Sequence, residues 1–439
     1  MIVGFQFVDR YAVRIRNETM RKLLSLFVVA CVWIPAVVWA EFRAGIAVRT
    51  VTPNPLLPVS GGVGPSNPVT RKDGELNVRA LALEGDNTRI VIVSSDFLGF
   101  PAVLGNRVRA QIKGIPAENI LIGATHTHSA PDCYGFPDGK GNIATDLKYI
   151  DFVCTRMVEA INEAVEKMQP AGLKIATGNA VGKIAYNYYA DHLYDPRCSV
   201  VQAIGADGKP IATLVNYAIH PEVLGAHAGT LSPDLVGPLY DRIQEKGGGT
   251  AIFMNGAQGG MITADNRSPG GKDTRTWEEC LRIGHLLGDE AMRIISTAVE
   301  QKNPALFCTS QKLTFPVDSP LLRAIMAASP LRLGGNDNTQ VTTQLNLINL
   351  GNAQILTIPG EALPNIGYYL KRKMHGENNL LFGLTNDAFG YILTKVDWSS
   401  FERYNYVSRT CLGEMTGEIF IEESVKLVNR SPSPTKLKK

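Results

Sequence analysis

Apolar residues in this chain come as short runs of strand length, separated by stretches in which they recur every three or four positions. Ile46–Thr50, Val78–Leu83, Ile90–Ser94, Ile120–Ala124, Ser199–Ile204, Ala212–Ile219 and Ala251–Met254 predict strands. So do Ala305–Phe315, Gln344–Leu350 and Gln354–Ile358, with Leu380–Leu384 as a further apolar segment. Helical spacing marks Tyr149–Lys167, Asp234–Lys246, Thr274–Glu300, Leu363–Met374 and Gly417–Val428. The alternation predicts an α/β fold, a mixed sheet with flanking helices in a single large domain, with no internal repeat and no long linker.

Chemically capable side chains fall where the apolar runs end. Asp96 follows Ile90–Ser94, and His126 and His128 follow Ile120–Ala124. His220 ends Ala212–Ile219, Asn255 ends Ala251–Met254, and Glu361 follows Gln354–Ile358 through Pro359-Gly360. Asn386 and Asp387 follow Leu380–Leu384. In a largely parallel sheet these ends would share one rim, where active groups usually lie.

Composition narrows the classes. The chain has 439 residues, 45% hydrophobic and 19% charged, with a formal net charge of +3. Its basic residues form no stripe interleaved with aromatics, which argues against a nucleic-acid partner. Arg430–Lys439 is Ser/Pro/Lys-rich and predicts a solvated, disordered tail. Met20-Arg21-Lys22 precedes an apolar run, Leu23–Ala40, that closes on Val38-Trp39-Ala40. A basic segment, an apolar segment and small residues before Glu41 predict a secretory signal, with residues 1–19 as an extension, and hence export. An uncleaved membrane anchor, or a lipid on Cys31, are the alternatives; Pro35 and the apolar run continuing past Cys31 favour cleavage. Of seven cysteines, Cys31 lies in that run and six remain, an even number that permits disulfides in an exported protein. None shows CxxC spacing, and a core this large needs few staples, so at most one or two bridges are expected.

The stretch GATHTHSAPD at residues 123–132 carries the sharpest signal. Residues i and i+2 of a strand face the same way about 6–7 Å apart, and zinc takes His nitrogen at about 2.0–2.1 Å. His126 and His128 can therefore converge on one ion, although a pair hydrogen-bonded at a strand end explains them equally well. His220, in NYAIHPEVLG, alone reads as a satisfied core or turn residue; beside the pair it moves toward metal. A catalytic zinc keeps about three protein ligands and one open position. Glu361, in IPGEALP, is the carboxylate candidate, exposed at a helix start where the helix dipole also favours an acid. His192, His227, His285 and His375 are weaker candidates. No GxSxG elbow appears, and neither GADGKP nor GGVGPS has P-loop spacing.

Taken in order, GIAVRTVTP, LNVRALALEGDNTRIVIVSSDFLGF, ATHTHSAPD, NYAIHPEVLG, LSPDLVG, FMNGAQGG, IPGEALPNIG and NDAFGYILT resemble the neutral/alkaline ceramidases and their shorter bacterial relatives. The resemblance implies a Zn²⁺-dependent hydrolase of an N-acyl amide, ceramide being the substrate of the best-known members, with the catalytic region alone present. It implies His126, His220, Glu361 and Tyr391 as zinc ligands, with His128 beside the metal as a polar partner for substrate. Tyr391 is reached only this way; read from the residues, it is packing at a strand end.

Two departures bear on chemistry. The family's NGxxGDxSP segment runs here from Asn255 to Thr263, so Ile262 stands in the serine's place and Gly260 in the acid's. Thr263, one position on, is the candidate catalytic hydroxyl. Asn255 is a candidate substrate contact, as is Asn187, in Asn187-Tyr188-Tyr189 where the family usually has Asn-Arg-Arg. The expectation is an exported amide hydrolase using metal-activated water over residues 41–429, taking a small-molecule or lipid-like amide, with membrane-surface association left open. A relative that binds such a ligand without turnover, favoured by Gly260 and Ile262, and an esterase on the same scaffold are the alternatives.

Overall fold

Leu81, Leu83, Ile90 and Ile92 point to one face of a sheet, and Val78, Ala80, Ala82, Val91 and Val93 to the other; all are buried. Strands apolar on both sides read as unbroken runs, and a sheet built from them needs cover on both faces. The computed structural model describes residues 41–437 apart from 139, 144, 335 and 336; the predicted signal and its extension lie outside the described residues.

The main sheet runs, in spatial order, Thr250–Asn255, Pro210–Tyr217, Arg197–Gly205, Gln169–Asn179, Arg43–Thr50, Asn77–Gly85, Thr88–Ser95 and Ile120–Ala124. Glu300–Gln301 adds to Gln169–Asn179. One face packs on a second sheet, Leu306–Pro316, Gln340–Leu350, Ala353–Thr357 and Asn378–Phe382, through residues such as Leu121, Ile252, Ile355 and Phe382. The other face is covered by Ala102–Arg109 and Leu147–Glu166 at one end and by Val236–Glu245 and Trp277–Ser296 at the other. Helices Pro320–Ala328, Pro364–Lys373 and Thr416–Arg430 cover the far face of the second sheet. The layers are helix, sheet, sheet, helix, which is the expected α/β class.

Capping sets helix ends. Asp146 accepts from the Lys148 and Tyr149 amides, and Thr276 from the Glu279 amide. The Thr276 cap starts the helix predicted from Thr274 at Trp277, and it ends at Ser296 rather than Glu300. Gln169–Asn179, broken by Pro170, Gly172 and Gly178, is not predicted as a strand. It nonetheless joins the two halves of the main sheet, pairing with Arg197–Gly205 along its length and with Arg43 and Ala44 at its start. Tertiary pairing overrides weak local propensity there.

The sheet is not largely parallel. Parallel pairs are confined to Pro210–Tyr217 with Thr250–Asn255, Thr88–Ser95 with Ile120–Ala124, Ala353–Thr357 with Asn378–Phe382, and short pairings such as Glu361–Ala362 with Tyr391–Ile392. The six longer strands carry the predicted polar residues, and their C-terminal ends meet. Gly256 N donates to Tyr217 O at 3.0 Å, Gly383 N to Asn255 O at 2.9 Å, and Asn386 N to Ile122 O at 2.7 Å.

All six described cysteines are free and all but Cys308 are buried, so no bridge forms among them, within the expected bound of one or two. The tail beyond Arg430 is partly docked: Pro432 O accepts from Asn349 Nδ2 at 2.6 Å, and Thr435 N donates to Gly351 O at 3.0 Å. Among the described residues, no helix is long and apolar enough to cross a membrane.

Candidate metal centre

The turn after Ile120–Ala124 throws His126 inward. Its amide donates to Phe97 O at 2.9 Å, and its φ of 76° is a left-handed value that a side chain of this size rarely adopts. Nδ1 lies 2.5 Å from Leu98 O. A carbonyl only accepts, so the ring proton sits on Nδ1 and Nε2 is the free donor to a metal. His220 repeats the arrangement: its amide and its Nδ1 both donate to Ile262 O, at 2.7 and 2.8 Å. Its Nε2 is buried and without a hydrogen-bond partner.

Glu361 is not exposed at a helix start. It enters the short strand Glu361–Ala362, paired in parallel with Tyr391–Ile392, and the helix begins only at Pro364. Gly259 makes this possible, because a Cβ there would lie 2.1 Å from Glu361 O. Glu361 Oε2 lies 3.5 Å from His126 Nε2 and 3.2 Å from His220 Nε2. Atoms about 2.0–2.1 Å from a tetrahedral ion sit roughly 3.3 Å from one another, so these are the edges of such a tetrahedron. Tyr391 is the register partner of Glu361, and its hydroxyl donates to Met261 Sδ at 3.2 Å.

Burial opposes charge on the Glu361 carboxyl, but His126 and His220 hold it well below the usual carboxylate range. Burial is also the largest influence on His220 and opposes its charge, but the nearby Glu361 and Glu222 carboxylates and the Ile262 carbonyl together raise the imidazole above its ordinary value. His128 differs. Its Nδ1 lies 3.3 Å from Glu222 Oε2, and its Nε2 is buried and unpartnered. Burial pushes that ring down to about 3, against the pull of Glu222, which keeps it neutral. Among the described residues, His126, His128 and His220 form the one His/Cys/Asp/Glu group with metal-ligand spacing, their ligand atoms within 4.8 Å of one another. Buried, orphaned Nε2 and Oε2 atoms aimed at one point fit a divalent cation.

Of the other predicted residues, Asp387 lines the cleft above this centre, whereas Asn255, Asn187 and Thr263 do not. Asn255 is fully buried and committed to backbone: Nδ2 donates to Thr125 O at 3.0 Å and Ile219 O at 2.7 Å, and Oδ1 accepts from the Ile219 and Gly256 amides. It ties the His126 turn to the His220 turn. Asn187 caps its own loop, donating to Leu193 O and accepting from the Tyr189 and Ala190 amides. Thr263 bridges His220 through the backbone, and its hydroxyl helps lower the Glu222 carboxyl. Ile262 is wholly buried in the core beneath Trp277–Ser296. Sequence reasoning passed over Glu222 and Met261; the only signal for Glu222 was its place two residues after His220.

A cleft of about 880 Å³, open solvent included, lies over the centre. His126, His128, Glu361 and Tyr391 line it together with Leu98, Phe136, Leu322, Ile325, Met326 and Phe389, six members of one apolar cluster.

The fold is that of neutral ceramidase. A solved structure of neutral ceramidase from Pseudomonas aeruginosa superposes with a TM-score of 0.70 at 18% identity, covering 91% of this chain and 76% of that one. A second structure, a ceramidase complexed with C2, gives a TM-score of 0.71 at 17% identity, covering 91% and 77%. No family profile matches the chain. No curated protein matches it either.

Proposed function

We propose that this chain is a zinc-dependent hydrolase of an N-acyl amide with an extended hydrocarbon acyl part. The observation that carries the reading is the His126–His220–Glu361 cluster at the wall of a cleft that is otherwise lined largely by apolar side chains. The likeness to neutral ceramidase supports an amide as the bond cleaved. His126, His220 and Glu361 would hold the ion, with Tyr391 beside them. When bound, the ion supplies Lewis acidity that polarises a carbonyl and brings the pKa of water toward about 7. The chain's own groups do the rest. The apolar lining takes the hydrocarbon and leaves the scissile carbonyl at the cluster. His128, neutral and with Nε2 open, takes or returns the proton that moves between water and the leaving amine. Water is the nucleophile, because the Ile262 side chain offers no hydroxyl and lies in the core.

The buried Ile262 also favours the second reading, a relative that holds such a ligand without turning it over. Purified mature protein assayed on long-chain N-acyl amides and matched esters, alongside metal analysis, separates the two. The expected result is amide hydrolysis abolished by a chelator, restored by zinc, and reduced at least 1,000-fold in His126→Ala, on the order of removing a catalytic group. Full turnover by verified metal-free protein, or binding with no turnover of any substrate, would overturn the proposal. Export belongs to the same reading, with the mature chain beginning at Glu41.

A further inference from the structure

We infer that Glu222 is a positioning residue that makes His128 the proton carrier of this cleft; the inference rests on the hydrolase reading above. Three histidine rings meet here, and each has its Nδ1 side anchored, but the anchors differ. His126 and His220 lean on backbone carbonyls, Leu98 O and Ile262 O. His128 leans on a carboxylate, Glu222 Oε2. Either anchor fixes a ring's tautomer and both occur behind metal ligands, so it is the Glu361 contacts of His126 and His220 that mark those two rings as the ligands. A carboxylate fixes the tautomer and also stabilises the imidazolium that forms when the ring accepts a proton.

The surrounding turn builds this pair. His128 N donates to Pro221 O at 3.2 Å, and Glu222 N to His220 O at 3.0 Å, so one His-Pro-Glu turn sets His220 toward Glu361 and Glu222 toward His128. No Lys or Arg takes the Glu222 charge among the described residues; its ion-pair partner is His128. His128 Nε2 is buried, unpartnered and on the cleft wall, while the Glu361 contacts are made by the other two rings. With Ile262 contributing no polar atom from its side chain, proton traffic falls to this ring. Water adds to the amide carbonyl carbon, forming a C–O bond, and its proton passes to His128 Nε2. The C–N bond then breaks, the amine nitrogen takes that proton, and the products are a carboxylic acid and an amine.

The test is a cycle of Glu222→Gln and His128→Ala with zinc content and KM followed alongside kcat. Glu222→Gln is expected to lower kcat roughly 10–100-fold with KM and zinc unchanged, to cost nothing further in the His128→Ala background, and to be partly relieved by Glu222→Asp. An equal loss in both backgrounds, or none in the wild type, overturns the inference. Spectra of ¹⁵N-histidine-labelled, zinc-loaded protein give a readout that does not need turnover. They should place the His128 proton on Nδ1 in the wild type and move it in Glu222→Leu; a wild-type proton on Nε2, or no change in the variant, overturns the pairing. A ring proton that responds to Glu222 in a protein with no hydrolytic activity sinks the hydrolase reading and leaves the pair standing.

Discussion

Ile262 serves the site twice, once by its backbone and once by its side chain. Its carbonyl fixes the His220 ring, and its side chain fills the core beneath the helix Trp277–Ser296. Replacing it with serine restores the residue type of the ceramidase motif at the cost of a buried aliphatic group. Ile262→Ser should therefore destabilise by about 2–4 kcal/mol, in the range of large-to-small core substitutions, and give no gain in amide turnover. Urea unfolding and the amide assay check the two halves. At this scale, legibility divides by chemistry. His126, His220 and Glu361 could be picked out because their side chains are chemically distinctive and end apolar runs. Asn255 looked equally distinctive, but its amide is wholly occupied by Thr125, Ile219 and Gly256 backbone groups, a contact set that no linear pattern announces. Glu222 was passed over for the opposite reason: an acid after His-Pro looks like a solvated turn until the fold brings His128 beside it.

Among elements, the apolar runs were legible and their directions were not. A sheet covered on both faces has no polar side to set register, so a run such as Thr88–Ser95 reveals a strand but not its neighbours. Short helices, Ala102–Arg109 and Pro320–Ala328, fall below the length at which helical periodicity stands out. The predicted shared rim arises all the same, because the strands bearing the site run parallel in pairs and their ends are stitched together by backbone bonds. Asn255 is the central stitch. Asn255→Ala removes two donors and leaves the Thr125 and Ile219 carbonyls buried without them. The expected cost is about 3 kcal/mol of stability, seen in denaturant unfolding. Zinc affinity should also fall roughly 10–100-fold, because the His126 and His220 turns lose their common brace. Normal zinc affinity in a destabilised variant would show that the turns hold their own geometry.

The described residues from Glu41 onward form four layers around two face-to-face sheets, and their α/β class was legible from alternation alone. The joining strand Gln169–Asn179 was not, since its one proline and two glycines are tolerated only through long-range pairing. At this scale the export proposal is checked by sequencing the N-terminus of protein released from the producing cell, which should begin Glu41-Phe42-Arg43. Retention of Leu23–Ala40 in the released protein would refute it.

The six unpaired cysteines acquire a meaning in that setting. Burial raises the thiols of Cys133, Cys154, Cys198, Cys280, Cys308 and Cys411 above the ordinary value, so the folded chain presents little thiolate. Once folded, such a chain offers oxidants little thiolate to attack, with no bridge among the described cysteines. If the chain is exported as proposed, its exposure to oxidation would fall in transit, when all six sulfurs are bare, and fast core formation would limit mispairing.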